Sequence, residues 1–137
     1  GDVYKRQVLG CPYEGKVSYE STAELASFLI EQGCYQVSLG DTIGCGTPFD
    51  AIKLFGLVSK KVNIEKIAAH FHDTYGQALS NIYAVLQMGV QTLDTSVAGL
   101  GGCPYAKGAT GNVATEDVLY MLNGIGIKTG IKLKDII

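Results

Sequence analysis

The chain lacks several features that would decide its class at once. It has no block of basic charge: 11 Lys and Arg stand against 13 Asp and Glu, a formal net charge of −2. That balance leaves no electrostatic footprint for nucleic acid or for an anionic membrane surface. No uninterrupted apolar stretch is long enough to span a bilayer. Its four cysteines, Cys11, Cys34, Cys45 and Cys103, form no C-x-x-C, and the sequence shows no secretory-leader pattern. Reduced thiols in a cytosolic or organelle-matrix protein are therefore expected. No G-x-G-x-x-G follows a first strand, which weighs against a dinucleotide-binding fold.

What is present is a modest, well-patterned domain. The 137 residues are 47% hydrophobic, enough for a real core and too apolar for disorder. Residues 8–10 read as the end of a strand, followed by a loop at 11–16. Ser18 or Ser21 can cap a helix running to about Gln32, stopped by Gly33. A strand is expected at 35–39, with its loop at 40–46. Thr47 and Pro48 open a second helix, whose apolar face is Ala51, Leu54, Phe55 and Val58. A short strand at 67–71 precedes a helix at 76–88, and a strand at 90–93 follows. Thr115 caps a last helix through Leu122, and the tail from 128 onward begins another. Strand and helix thus alternate about four times, which predicts a parallel sheet with helical crossovers. An open doubly wound sheet and part of a closed barrel both fit. Polar residues cluster after each strand, at Asp41, at His72-Asp73 and at Asp94-Thr95-Ser96. Barrel enzymes carry their chemistry at that end.

Two stretches stand out. Ser96 to Ala106 holds Gly99, Gly101 and Gly102, which permit sharp turns and close approach to a ligand, with Cys103 at the tip. His70 and His72 sit two apart, so on a strand both point to one face. They are either a pair of ligands for one cation or one core and one surface imidazole. Asn112 is either a hard oxygen ligand or a helix-entry residue bonded to its own backbone. Asp41 fits a turn in Gly40-Asp41-Thr42, and Asp73 orients a histidine or caps the following helix. Glu116 and Asp117 suit the positive end of the last helix and support the Asn112 loop. Cys11, Cys34 and Cys45 read as passive small hydrophobes.

The stretch from Ser96 to Ala106 resembles the active-site signature of the 3-hydroxy-3-methylglutaryl-CoA lyase family. The resemblance extends to VLGCPYEG at 8–15, SLGDTIG at 38–44, HFHDTYGQA at 70–78 and GNVATED at 111–117, covering about 8–130. It implies an α/β (β/α)₈ TIM barrel, of which this chain is the C-terminal half, about strands five to eight. The implied reaction is cleavage of 3-hydroxy-3-methylglutaryl-CoA to acetyl-CoA and acetoacetate. His70, His72 and Asn112 are the implied ligands of Mg²⁺ or Mn²⁺, and no other cofactor is implied. Cys103 becomes a proton-transfer residue, His70 a group close to the substrate hydroxyl, and Asp41 a catalytic acid. An Arg-Asp pair that the family carries on its first strand, supplying a carboxylate ligand and a substrate guanidinium, has no counterpart in this sequence. The implied partner is an acyl-CoA substrate, with a homodimer as the full-length form. The implied compartment is mitochondrial matrix in a eukaryote and cytoplasm in a bacterium.

Two competing readings follow from the same residues. Acyl-CoA condensing enzymes of the isopropylmalate and homocitrate synthase group share the barrel and an H-x-H, but lack the Gly102-Cys103-Pro104-Tyr105 loop. A truncated half-barrel that only packs against a partner is the non-catalytic reading. Residues 1–7 depart from the family pattern and include no initiating Met, so they are expected to be a foreign extension, leaving 8–137 as the domain.

Overall fold

The computed structural model describes residues 3–7, 18–41, 43–100 and 111–136. Four strands form one parallel sheet in the order β1-β2-β3-β4: β1 (Val3–Gln7), β2 (Gln36–Asp41), β3 (Ile67–Phe71) and β4 (Thr92–Asp94). Four helices alternate with them: α1 (Tyr19–Glu31), α2 (Pro48–Ser59), α3 (Ala78–Leu86) and α4 (Thr115–Gly124). Each helix packs on the next, α1 on α2, α2 on α3 and α3 on α4, so they lie side by side in one layer. A doubly wound sheet reverses its strand order at a switch point. This sheet adds each strand beside the last with no reversal, the winding of a barrel wall.

The local signals explain most boundaries. Ser18 caps α1, its hydroxyl accepting from the Ser21 amide at 3.3 Å. Thr47 and Asp50 form a reciprocal capping box at the start of α2, with Pro48 in the first turn. Gly33 and Gly89 follow α1 and α3 with φ of 103° and 104°, conformations that side chains resist. Other boundaries move. The strand expected at 35–39 runs to Asp41, and that expected at 90–93 is Thr92–Asp94. Helix α3 starts at Ala78, because the Asp73 carboxylate accepts the Ala78 amide at 3.2 Å and holds 74–77 in a turn. Helix α4 begins at Thr115 rather than being capped by it. The Thr115 amide donates to the Ser96 carbonyl at 2.9 Å, and its hydroxyl pairs with that of Thr95 at 2.7 Å. The helix expected in the tail is a single 3₁₀ turn, Leu133–Asp135. The first strand lies at Val3–Gln7, within the stretch expected to be an extension, and pairs with β2 from Val3↔Gln36 to Gln7↔Gly40. Residues 8–17 lie outside the described residues.

The sheet has two chemically different faces. Val37 and Leu39 on β2, and Ile67, Ala69 and Phe71 on β3, are buried with Leu54, Phe55, Val58, Ile82 and Val85 of the helices. The Phe55 and Phe71 rings meet with centroids 6.1 Å apart. Period-two alternation puts the other residues on the opposite face, and these are Gln36, Ser38, Gly40, Ala68, His70, Thr92 and Asp94. A parallel-sheet face that only fills a core is apolar. This one carries an imidazole, a carboxylate, hydroxyls and an amide.

At the carboxyl end of the sheet the β2–α2 loop meets the β3–α3 loop at Gly44. A Cβ there would lie 2.6 Å from Thr74 Oγ1 and 2.9 Å from the Thr74 amide nitrogen, at a φ of +67°. Gly33 also has positive φ but faces open space. Gly33→Ala is therefore expected to cost the backbone term alone, about 1–2 kcal/mol. Gly44→Ala adds a backbone clash and should cost at least about 1 kcal/mol more. Urea unfolding midpoints of the two variants check this, and equal losses would show that the loops separate freely.

Candidate metal and catalytic site

Strand β3 and its immediate continuation deliver the two histidines. His70 and His72 share a face, as their spacing predicts, and their Nε2 atoms stand 3.1 Å apart with ring centroids at 5.1 Å. His72 is buried and His70 half-buried. Two ligands each about 2.1 Å from one cation and at right angles to each other are separated by about 3.0 Å. The pair has that separation.

Asn112 reaches the same place by backbone pairing. It forms an antiparallel bridge with His72, the Val113 amide donates to the Phe71 carbonyl at 3.3 Å, and Ser96 bridges Ala114 in parallel. Residues 111–114 are thus threaded between the ends of β3 and β4. The Asn112 side-chain amide donates to the Leu100 carbonyl at 3.1 Å, which fixes its orientation, since a carbonyl can only accept. Its Oδ1 is shielded from solvent and has no hydrogen-bond partner among the described residues. A buried carbonyl oxygen left without a donor is costly unless something else fills its lone pairs, and a cation does so. Two imidazole nitrogens and one amide oxygen suit a divalent cation without selecting which one. Among the described residues, no cluster of three or more His, Cys, Asp and Glu adds a carboxylate to this set.

Asp41 sits at the end of β2, buried, in register with Phe71. One oxygen accepts the Gly46 amide at 2.8 Å and the other the Cys45 amide at 3.2 Å. Burial pushes its carboxyl above the usual range, opposed by the Gly46 and Cys45 amides, by His72 and by Gly44. These bonds are the turn reading of Asp41: the carboxylate closes the β2–α2 loop. Cys45 is exposed, not a buried small hydrophobe as expected; desolvation and the Asp41 charge push its thiol up. Asp73 accepts the Ala78 amide at the start of α3, the helix-capping reading of the two.

Asp94 and Glu116 have closer parts in the site than the sequence assigns them. Asp94, on β4 beside His70, places Oδ2 3.4 Å from His70 Nδ1 and accepts the Ser38 hydroxyl at 2.8 Å. The available signal was the period-two pairing of Thr92 with Asp94 at a strand end. Glu116 grips the start of the glycine-rich segment: both carboxylate oxygens accept the Ala98 amide, at 2.8 and 3.0 Å. Ala98 holds a φ of 56° in the 3₁₀ turn Val97–Gly99. Cys103 and the rest of 101–110 lie outside the described residues.

This geometry can be set beside known proteins. The mitochondrial hydroxymethylglutaryl-CoA lyase of Gallus gallus is 57% identical over 131 residues, covering 96% of this chain and 44% of its own length. A crystal structure of hydroxymethylglutaryl-CoA lyase from Pseudomonas aeruginosa superposes with a TM-score of 0.92 at 55% identity, over 98% of this chain and 45% of that one. The lyase from Acinetobacter baumannii, solved with coenzyme A and 3-methylmalate, gives 0.90 at 35% identity, over 98% of this chain and 44% of that one. The chain therefore spans less than half the length of the relatives it matches. The family model described as HMGL-like matches residues 2–137, and the chain belongs to that family.

Proposed function

We propose that this chain is the C-terminal half of a (β/α)₈-barrel lyase, about strands five to eight, that cleaves 3-hydroxy-3-methylglutaryl-CoA to acetyl-CoA and acetoacetate. The observation that carries the reading is that Asn112, whose buried Oδ1 has no hydrogen-bond partner among the described residues, bridges His72 beside the close His70–His72 pair at the carboxyl end of a sequentially wound parallel sheet. It is supported by the likeness to hydroxymethylglutaryl-CoA lyases and by the coenzyme A bound in one of them.

His70, His72 and Asn112 would hold a divalent cation, Mg²⁺ or Mn²⁺, with a carboxylate supplied from outside this chain. Such a cation polarises the substrate's hydroxyl and carbonyl oxygens and stabilises negative charge on them. The rest is proton movement. The tertiary hydroxyl gives up its proton as the carbon–carbon bond breaks, and the bonding pair leaves on the acetyl-CoA carbon, which must then be protonated. His70 lies close to the hydroxyl, Asp41 is the catalytic-site acid that assists there, and Cys103 in the glycine-rich loop carries out proton transfer. The Cys103 loop also separates this reading from the condensing enzymes, which lack it. The full-length protein is read as a homodimer acting on an acyl-CoA, in the mitochondrial matrix or the bacterial cytoplasm according to its source.

Three outcomes are expected. His72→Ala in the full-length protein should sharply weaken Mn²⁺ binding, read by paramagnetic resonance; unchanged affinity would remove the H-x-H from the metal site. Cys103→Ser should keep KM near wild type and lose most of kcat, because a serine hydroxyl exchanges protons poorly near neutral pH. Wild-type turnover at saturating substrate and cation would take Cys103 out of the chemistry. The 137-residue chain by itself should release no acetoacetate with Mg²⁺ present, because four strands cannot close the barrel. Substantial activity from a monomer would overturn the half-barrel reading.

A further inference from the structure

We propose that Asp94 is the positioning residue for His70, fixing its ring and tautomer so that Nε2 directs its lone pair toward the site. The inference rests on the metal reading above and concerns a residue outside the ligand set. Asp94 Oδ2 lies 3.4 Å from His70 Nδ1, and that same oxygen accepts the hydroxyl of Ser38 at 2.8 Å. Ser38 is fully buried, so its hydroxyl pins the carboxylate from a site with no solvent to compete. An ionised carboxylate only accepts, so the ring nitrogen facing it carries the proton. A neutral imidazole has one N–H, and with that proton on Nδ1 the lone pair is on Nε2. This is the nitrogen that stands 3.1 Å from its counterpart on His72.

Asp94 does not compete for the cation. The two nitrogens of an imidazole point away from each other, so a group on the Nδ1 side cannot share an ion held at Nε2. The arrangement also makes the two histidines unequal. With His70 protonated on Nδ1, the proton between the two Nε2 atoms belongs to His72. That proton must leave Nε2 before a cation binds there, whereas His70 is already in its ligating form. A carboxylate behind a ligating histidine both orients the ring and raises its basicity.

The sheet provides for this contact. Asp94 is in register with His70 on β3, and Ser38 with Ala68 on the same strand. Ser38 and Asp94 stand on β2 and β4, which are not neighbours, so their bond passes over β3, where the side chain at 68 is a single methyl group.

The test uses the full-length protein that carries this chain. In the metal-free state, ¹⁵N-histidine labelling with ring-nitrogen correlations, assigned through His70→Asn, should show His70 protonated on Nδ1. Asp94→Ala should convert that ring to a mixture of tautomers and raise the Mn²⁺ dissociation constant about 10- to 100-fold, the usual loss for an outer partner of a ligating histidine. Asp94→Asn, isosteric and safe for folding, should shift both readouts in the same direction by less. Ser38→Ala should raise the constant several-fold while the carboxylate remains. If Asp94→Ala keeps the tautomer and binds Mn²⁺ within two-fold of wild type, the positioning role is overturned and the metal reading stands. A wild-type protein that binds no Mn²⁺ overturns both.

Discussion

The arrangement depends on one register. Gly40, His70 and Asp94 are aligned across β2, β3 and β4, and Ser38, Ala68 and Thr92 are aligned one pair below. Slip β3 by one residue and the imidazole turns into the helix layer, exchanging places with Phe71; slip β2 or β4 and Ser38 or Asp94 leaves the polar face. The register is held from the other side of the sheet. Val37, Leu39, Ala69 and Phe71 are buried against α2 and α3, and moving them to the polar face would expose apolar surface worth roughly 1.5–3 kcal/mol for each large side chain. The apolar packing of one face thus fixes the chemistry of the other. Gln36 donating to Thr92 at 3.0 Å repeats the Ser38–Asp94 connection, so two hydrogen bonds link β2 with β4 across β3.

A second constraint couples the glycine-rich segment to the candidate ligand. Glu116, on the first turn of α4, reaches back to the Ala98 amide and helps hold that residue in the left-handed region. Such a conformation costs an alanine about 1–2 kcal/mol, and a charge-assisted bond contributes about 1.5–3 kcal/mol in return. Next to it, Gly99 brings its backbone so close that a Cβ would lie 2.9 Å from the Asn112 carbonyl oxygen. The Leu100 carbonyl then accepts the Asn112 side-chain amide. Three consecutive residues therefore depend on 112 and 116. Whatever moves residues 98–100 also turns the Asn112 side-chain amide, so the start of the glycine-rich segment and the candidate ligand are parts of one mechanical unit.

Much of this was legible in the sequence, for reasons that differ by element. Helices α1 and α2 announced themselves because their caps are local chemistry: Ser18 and the Thr47-Pro48-x-Asp50 box act within four residues. The face shared by His70 and His72 followed from strand geometry alone. Thr115 misled because the sequence does not show that Ser96, far back in the chain, supplies the acceptor for its amide. Asp73 and Asp94 illustrate the same limit. Both follow strands, and both could orient a histidine, but only the register puts Asp94 beside His70 while Asp73 turns back on its own helix. That Glu116 supports this region was legible at the start of the last helix; its grip on Ala98 was not, since the bond closes 18 residues of chain.

Asp41 shows how a buried charge is made tolerable here and at what cost. Desolvation is the largest influence on it and raises its pKa, while the Gly46 and Cys45 amides, His72 and the Gly44 amide pull the other way. The balance remains on the side of burial, so the folded chain holds this proton to higher pH than the unfolded chain. As pH rises from the unfolded-state pKa to the raised folded one, the unfolded state has already released its proton, and stability falls across that window. A neutral residue would avoid that loss, but none offers two acceptor oxygens to two buried amides at once. The carboxylate is therefore a requirement of the β2–α2 loop, which has to bend at Gly44 to fit against Thr74. Asn81 closes the same loop from α3 by donating to the Gly46 carbonyl at 3.0 Å. The loop is anchored from both sides, which keeps Asp41 buried rather than in solvent.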